Sequence, residues 1–379
     1  IVVNLTLNGL AQPKVVAGAN GYYYAALPIS IASDGTTLYP ISSTGTNVLA
    51  WTDANGAYSS NAYNLNNFSS ASAGFNIGGS SGSQGFNLTS TGPSAITLTT
   101  ASARYSDILT ELKASTGPNW LTSLPSIASL SATNTAGFYL DSALSLSHSF
   151  SLTSTRALYI NSPVTVSGMS SAINLVSGGD LTISQALTAT GDIHLSALSG
   201  VLKLNTISGS TAALNSSSGN ITVRNKRFVN NYGSSAFSVA TGNWQIWSTN
   251  DNPFSGSTPD DSGNLAYDYK QYSIDYGITP AGSGNGLLYS YAPTITVGLQ
   301  NVSKTYDGFL TASVSNANFT LDGVVDSDVL NLNYSSANYS DAHVATANKT
   351  VLVEGLTLDS VTSNTGKSVY GYILSKSSV

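Results

Sequence analysis

Apolar and polar residues alternate along most of this chain, in short runs that end at Gly, Asn or Ser. The opening run, Val2–Leu7, is followed by Asn8–Gly9, and comparable runs recur at residues 95–99, 158–160 and 164–166. A period of two closed by a turn former is typical of β-strands with one buried face. The pattern therefore predicts an all-β fold.

One segment departs from this period. Four of its large side chains lie at i, i+3, i+4 and i+7, which places them on one face of a helix: Tyr105, Ile108, Leu109 and Leu112. Gly117–Pro118 lies beyond its end, as expected after a helix C-terminus. We expect one short helix near residues 102–114, inserted so that it covers an edge or an end of the β-structure.

A degenerate repeat runs through residues 136–249. Its unit is Gly, then Asp or Asn, then an apolar–polar–apolar strand, and it occurs at 179–183, 191–195 and 219–223. In a β-solenoid each turn needs a corner residue with φ > 0 before a strand that faces the core. The repeat therefore favours a β-solenoid (β-helix) whose turns vary in length, and a β-sandwich with similar turns is the alternative.

Composition changes along the chain and predicts four regions. Turn formers cluster in residues 250–291 and strands are sparse there, which indicates a connector or cap. Alternating strands return after it and fit a small Ig-like β-sandwich at residues 292–379. Residues 1–135 form a β-rich N-terminal region with the helical insertion, and residues 136–249 form the solenoid turns.

Charge is unusually scarce in this chain. Asp, Glu, Lys and Arg make up 8% of the residues, against roughly a quarter in ordinary soluble domains. A net charge of −6 argues against a nucleic-acid partner, which needs a basic face. The absence of cysteine excludes disulfides and thiolate chemistry. No run of about 18 apolar residues exists to span a membrane as a helix. The chain begins at Ile1, so either a signal was removed or the chain is a fragment.

The few ionisable residues do not form a recognisable active site. Enzymes that act on polysaccharides with this kind of fold need clustered carboxylates. Asp180 and Asp192 can stack on neighbouring turns, but both follow Gly, where Asp favours local hydrogen bonds. His148, His194 and His343 are far apart and lack metal-ligand spacing. We therefore expect no enzyme and no cofactor.

Two charged clusters remain as weak binding candidates. Asp322, Asp326 and Asp328 alternate along one loop and are a weak Ca²⁺ candidate. They lack a complete calcium-binding pattern, so a solvated acidic turn is the alternative. Residues 224–228 hold the basic cluster, which fits either an acidic polymer or contacts to the connector.

The C-terminal half resembles a known group of secreted proteins. Three segments resemble the end of the β-helix in filamentous-haemagglutinin-like exoproteins: 243–249, 265–272 and 284–289. Three more resemble the YDG domain that follows it: Ser303–Gly308, 323–329 and 370–374. The resemblance covers about residues 155–379. Such proteins are usually much longer.

The resemblance implies a function at the cell surface. It implies a secreted, extracellular surface protein of a Gram-negative bacterium, of a kind often exported by two-partner secretion, and we expect it to be a non-enzymatic adhesin. Its role would be adhesion or biofilm formation through a host or microbial surface or a glycan. A polysaccharide-active β-helix enzyme is the outside alternative.

Five residues of the resembling segments are expected to be structural. In Tyr306, Asp307 and Gly308 we expect a turn in which Asp accepts a local N–H and Gly takes φ > 0. Trp244 and Trp247 lie three apart in a strand and point to opposite faces. We expect one to close the solenoid core and the other to contact the connector.

The opening strand suggests a second hypothesis for the whole chain. Val2, Val3, Leu5 and Leu7 form a strand that needs a sheet, whereas a YDG sandwich ending at Val379 would lack its last strand. A strand from a neighbour can fill such an edge by donor-strand addition. Repeated head to tail, that contact would assemble the chain as a subunit of an extracellular filament.

Overall fold

The computed structural model describes residues 102–108, 127–344 and 349–379, together with the strands that lie before residue 101. The chain forms two compact units. Residues 1–222 and 229–242 make the first unit, and residues 223–228 and 243–379 make the second. Within the described part, no helix has the length and hydropathy needed to cross a membrane.

The first unit begins with short strands that pair mostly antiparallel. β1, β7, β8 and β9 follow one another across an antiparallel series, and β9 pairs parallel with β10. β2 pairs with β3, and β4, β5 and β6 form a small sheet of their own. These strands are β1 (Val2–Leu7), β2 (Lys14–Ala17), β3 (Tyr23–Ala26), β4 (Thr37–Tyr39), β5 (Ala50–Thr52), β6 (Tyr58–Ser59), β7 (Ala73–Gly78), β8 (Gly85–Ser90), β9 (Ile96–Thr100) and β10 (Ile127–Ala132).

The expected helical segment is described in part. Residues 105–108 are helical, and Tyr105 and Ile108 of the apolar stripe are buried. The Ser106 N–H and hydroxyl donate to the Asp141 carboxylate at 2.8 Å each, which ties this turn to the first solenoid turns. Leu109, Leu112 and the rest of the predicted helix lie outside the described residues.

The predicted β-solenoid is confirmed, with about five turns over residues 129–248. Each full turn adds one strand to each of three parallel stacks. The strands are β11 (Phe138–Leu140), β12 (Leu144–Leu146), β13 (Phe150–Ser154), β14 (Leu158–Ile160), β15 (Val164–Val166), β16 (Ile173–Ser177), β17 (Leu181–Ile183), β18 (Leu187–Ala189), β19 (Ile193–Leu204), β20 (Leu214–Ser216), β21 (Ile221–Asn230), β22 (Phe237–Val239) and β23 (Trp244–Ser248).

Strict alternation fills the solenoid core. In β14, Leu158 and Ile160 are fully buried while Tyr159 between them is half-buried, and the same pattern holds in β15 and β17. Such burial of apolar surface is the main stabilising force of the fold. The turns differ in length, because Leu144 pairs with Val164 across 20 residues and Leu187 with Leu214 across 27.

The glycines of the repeat act differently from the expected corner residues. Neither Gly191 nor Gly219 has a positive φ. Instead, a Cβ atom on Gly219 would lie 2.3 Å from the carbonyl carbon of Gly191 in the preceding turn. The expectation of φ > 0 at these positions was wrong, and the physical reason for glycine is the close stacking of one turn on the next.

The aspartates of the repeat hold successive turns together. Asp192 Oδ1 accepts the N–H of Asn220 at 2.7 Å, and Asp180 Oδ1 accepts the N–H of Val201 at 2.8 Å. These bonds cross to the next turn instead of closing the local turn, which corrects the expectation for both residues. A carboxylate that accepts a backbone N–H gives a stronger bond than a neutral acceptor would.

The second unit combines the predicted connector with the predicted sandwich. β24 pairs parallel with β25 and with β32, β26 pairs with β27 and β33, and β28–β31 and β29–β30 are antiparallel pairs. Its strands are β24 (Tyr269–Gln271), β25 (Gly286–Tyr289), β26 (Thr294–Leu299), β27 (Phe319–Asp322), β28 (Val329–Asn333), β29 (Ser336–Tyr339), β30 (Val351–Glu354), β31 (Thr357–Thr362), β32 (Ser368–Tyr370) and β33 (Ile373–Leu374), with a 3-10 helix at Asn316–Asn318.

A separate apolar core lies between the small sheets of the second unit. Its buried members come from β27 to β30 and their flanking loops: Ala312, Val314, Phe319, Leu332, Ala337, Val353 and Leu356. The C-terminal sheets predicted for this region are thus present, around a core of their own.

Candidate functional site

The Tyr-Asp-Gly segment forms a tight turn on the surface of the second unit. Asp307 Oδ1 accepts the N–H of Phe309 at 3.0 Å, and Gly308 has φ = +81°. Asp and Gly suit these two places, since Asp accepts a nearby N–H and Gly adopts φ > 0 without steric cost. The turn directs the ring of Tyr306 outward, where 63% of the residue is exposed.

The side chain of Lys304 fixes this turn through hydrogen bonds and an ion pair. Its Nζ donates to the carbonyl oxygens of Phe309 and Thr311, both at 2.7 Å, and lies 2.8 Å from Asp307 Oδ1. Lys304 lowers the pKa of Asp307, which keeps this carboxylate ionised. Sequence reasoning did not single out Lys304, although its position three residues before Asp307 is the spacing of a local ion pair.

A groove of about 320 Å³ opens beside the turn. Tyr306 and Phe309 contribute exposed aromatic rings, and Phe309 is 70% exposed. The volume falls at the lower end of the range of about 300–1,000 Å³ for small-molecule sites. The remaining lining residues are Val302, Ser303, Lys304, Tyr339, Asp341, Ala342, His343, Val344 and Lys349.

Three ionisable residues of the groove follow β29 in the chain: Asp341, His343 and Lys349. Asp341 accepts from the Lys349 ammonium group and, at 2.9 Å, from the N–H of His343. The hydrogen bond from Lys349 has the largest effect on the pKa of Asp341, and together with the bond from the His343 N–H it lowers this pKa to about 2. His343 Nδ1 lies 3.3 Å from the same carboxylate oxygen, and its ring is exposed to solvent. These residues therefore present a hydrogen-bonded carboxylate with two donor groups beside it.

This arrangement is suited to binding. Aromatic faces stack on flat apolar surfaces such as one side of a sugar ring, and adjacent donors and acceptors can bond to hydroxyls. Within the described residues, no group of three or more His, Asp or Glu side chains is arranged to hold a metal ion. Both lysines of the groove are held in ion pairs with Asp307 and Asp341.

The acidic loop, the weak calcium candidate of the sequence, is arranged around a lysine. Asp326 and Asp328 both contact Lys270 Nζ, at 2.6 Å each, and Asp322 is exposed on β27. The solvated-turn alternative does not describe the loop, because the side chain of Asp328 is fully buried. A lysine cation occupies the place between two carboxylates where a metal ion would have to bind.

Both tryptophans of β23 are buried. Trp247 packs with Tyr269, Ile274 and Leu288, all from the predicted connector, and meets the Tyr276 ring edge-on at 5.3 Å. Trp247 thus makes the contact to the connector that we expected of one of the pair.

The basic cluster is used in contacts to the connector. The Arg224 guanidinium lies 3.7 Å from the centre of the Tyr276 ring, and Lys226 Nζ lies 2.8 Å from Asp251 Oδ2. Arg227 Nε donates to the carbonyl oxygen of Pro259 at 2.9 Å. Because these cations already have partners, the acidic-polymer alternative loses its main support.

Two of the three histidines, His148 and His194, lie in the solenoid. His194 faces outward on β19 with its ring 45% exposed, 3.7 Å from Asp192. His148 Nδ1 lies 2.8 Å from the carbonyl oxygen of Ser149.

The two ends invoked by the donor-strand hypothesis are paired within the chain. β1, which carries Val2, Val3, Leu5 and Leu7, pairs antiparallel with β7 over six residues. At the other end, Val379 exchanges two backbone hydrogen bonds with Val353, at 2.7 and 3.0 Å. Filament assembly by this route stays a prediction, and it requires these pairings to open.

Comparison with known proteins adds one assignment. The model of the YDG domain family matches residues 291–379, which agrees with the position expected for this domain. The match begins just after β25 and covers β26 to β33 together with the groove. Neither the curated proteins nor the solved structures include a significant match to this chain.

Proposed function

We propose that this protein is a non-enzymatic extracellular surface protein of a Gram-negative bacterium, exported by two-partner secretion, that mediates adhesion or biofilm formation. In this proposal the solenoid is a stalk and the groove of the YDG domain contacts the ligand. The observation that carries it is the pair of exposed rings, Tyr306 and Phe309, in a groove with fixed polar groups. Large apolar side chains left in water at one place mark an interaction surface.

The surface of the solenoid supports the same proposal. One row of outward positions on successive strands is filled by small polar side chains: Ser129, Ser151 and Asn174. The two aspartates with the best position for catalysis, Asp180 and Asp192, accept backbone N–H groups of the next turn. Such a surface is suited to a structural role, and for this reason we propose that the protein is not an enzyme.

A glycan is the ligand class that best suits the groove. Sugars present both a hydroxyl-rich edge and an apolar face, and the groove offers Asp341 and His343 for the first and two rings for the second. The formal charge of −6 does not favour an acidic partner.

Binding of the purified chain to a glycan array and to bacterial and host-cell surfaces tests the proposal. We expect Tyr306→Ala and Phe309→Ala each to weaken binding by about 5-fold or more, since an aromatic stacking contact contributes about 1 kcal/mol or more. Leu352→Ala is the matched control, because Leu352 is also half exposed in the second unit but lies outside the groove. Equal binding by all three variants and the parent chain would contradict the proposal.

A further inference from the structure

Lys270 is buried in a place where a free lysine is costly. It lies in the middle of β24, between Leu287 of β25 and Val369 of β32 in the register of the two parallel pairings. Its side chain has no exposed surface. Within the described residues, Lys270 and Asp328 are the only charged residues that are buried. A buried charged pair is costly to desolvate, so this pair calls for a specific explanation.

Two carboxylates meet the lysine amine at bonding distance. Nζ lies 2.6 Å from Asp328 Oδ1 and 2.6 Å from Asp326 Oδ2. The loop reaches this arrangement through two successive residues in the left-handed region, Asp326 (φ 52°) and Ser327 (φ 57°). Non-glycine residues adopt this conformation at an energetic cost, and such strain concentrates at functional sites.

Two tyrosine hydroxyls face the other oxygen of Asp328. Tyr272 donates to Asp328 Oδ2 at 2.6 Å, and the Tyr372 hydroxyl lies 3.0 Å from the same atom. Burial raises the pKa of Tyr272, and the charge of Asp328 raises it further, so this hydroxyl remains protonated. Burial raises the pKa of Tyr372 as well. The carboxyl group of Asp328 is therefore placed between an amine on one side and two hydroxyls on the other.

We propose that Lys270 and Asp328 condense to form an intramolecular amide (isopeptide) bond between Nζ and Cγ. The ammonium group of Lys270 gives one proton to Asp328 Oδ1, and the free amine attacks Cγ. The tyrosine hydroxyls stabilise the negative charge that develops on Oδ2. Asp326 takes a second proton from the nitrogen and passes it to the leaving Oδ1 hydroxyl, which departs as water. One N–C bond forms, one C–O bond breaks and Asp326 is regenerated.

Physical chemistry favours this step at this place. The reacting groups are held at contact, so little entropy has to be lost on the way to the transition state. Exclusion of water narrows the free-energy gap between the ion pair and the neutral amine–acid pair. The product is a neutral amide, which relieves the burial of two charges. The rings of Phe254 and Tyr272, centred 5.9 and 5.8 Å from Nζ, add to the apolar surroundings.

The bond would link β24 to the loop before β28 within the second unit. It would close a covalent loop from residue 270 to residue 328, which restricts the unfolded chain as a disulfide does. A chain without cysteine would gain a covalent cross-link in this way. The proposal does not depend on the ligand of the groove.

Intact-mass measurement of the purified full chain is the direct test. We expect a mass lower than that of the sequence by one water molecule. Trypsin should leave the bond after Lys270 uncut, and the peptide Phe228–Lys304 should appear joined to Thr305–Lys349, which contains Asp328. The exposed pair Lys304–Asp307, with its 2.8 Å contact, is the internal control and should be unlinked.

Two variants separate the roles. Lys270→Arg keeps the charge but cannot form the amide, so its mass should equal that of its sequence. Asp326→Asn should lower the linked fraction at least 10-fold, with folding checked by circular dichroism. A parent chain of full sequence mass that is cleaved after Lys270 would reduce the site to an ion pair and overturn the proposal. A link at Asp326 would overturn the assignment of Asp328, and an Asp326→Asn protein linked like the parent would overturn the role of Asp326.

Discussion

Replacing Gly219 by Asn tests how the solenoid turns stack. A side chain at Gly219 would place its Cβ 2.3 Å from the Gly191 carbonyl carbon and 2.4 Å from the Asp192 nitrogen. Ordinary contacts begin at 3.4 Å, so the two turns must part locally by about 1 Å. Such crowding costs about 1–3 kcal/mol, and the stretched bond from Asn220 to Asp192 adds about 1 kcal/mol. We expect a loss of about 2–4 kcal/mol in the free energy of unfolding.

The same substitution at Gly209 is the matched control. Gly209 has φ = +76°, and a Cβ atom added there would meet no other atom within 4 Å. Asn tolerates the left-handed region better than most residues, so Gly209→Asn should cost less than about 1 kcal/mol. Urea unfolding followed by far-UV circular dichroism measures both, with the comparison made at an unchanged slope. If the two variants lose the same stability, the glycines of the repeat are not there for stacking.

Two further predictions concern the second unit. Trp247→Ala should lower the free energy of unfolding by about 3–5 kcal/mol through the cavity it leaves. Trp247→Phe should lower this free energy clearly less, because the indole N–H is buried without a partner in the described structure and its loss breaks no hydrogen bond. Equal losses of the two variants in urea denaturation would contradict this. The pKa of Asp341 is about 2, below its usual 3.8, so the stability that this carboxylate contributes is present above pH 3.8 and is lost as the pH falls through about 2. In the Lys349→Met variant the pKa of Asp341 should move toward 3.8, as measured by NMR titration. An unchanged pKa would contradict the ion pair between Asp341 and Lys349.

The alternation of apolar residues predicted the strands, and the repeated Gly-Asp/Asn unit predicted that they form a solenoid. In a strand, each buried position must be apolar and each outward one need not be, so the sequence records which face is inside. Leu158 and Ile160 show this directly, with Tyr159 between them facing outward. The uneven spacing of the repeats likewise predicted turns of unequal length. The alternation concerns residues that are neighbours in the chain, so it can be recognised in a single sequence.

The role of the repeat glycines could not be predicted in the same way. Glycine is required both at positions with φ > 0 and at positions where another backbone approaches closely. The sequence shows a glycine in either case and does not tell the two apart. Gly209 meets the first need and Gly219 the second. Only the distance from Gly219 to the preceding turn separates the two cases.

The Tyr-Asp-Gly segment shows how one motif can be structural and exposed at once. The turn was predicted from Asp307 and Gly308, and the hydrogen bond to Phe309 has the geometry that such a turn needs. The groove was not predicted, because Asp341, His343 and Lys349 reach it from a loop more than 30 residues later in the chain. Backbone hydrogen bonds from the Tyr339 N–H to Leu310 and from the Ala312 N–H to Ala337, both at 2.8 Å, hold the start of that loop beside the turn, and a single sequence does not contain this long-range arrangement.

The acidic loop shows what one distant residue can change. Asp326 and Asp328, taken alone, are alternating carboxylates in a turn, and the two ordinary roles for such a loop are metal binding and solvation. Lys270 lies 56 residues before Asp326 and supplies one positive charge between the two carboxylates. One cation balances one anion, and the fully buried Asp328 is the carboxylate that needs it, while Asp326 is 46% exposed and can leave its charge in water. The difference in burial therefore assigns the two aspartates different roles, Asp328 as the partner of the amine and Asp326 as the group that exchanges protons.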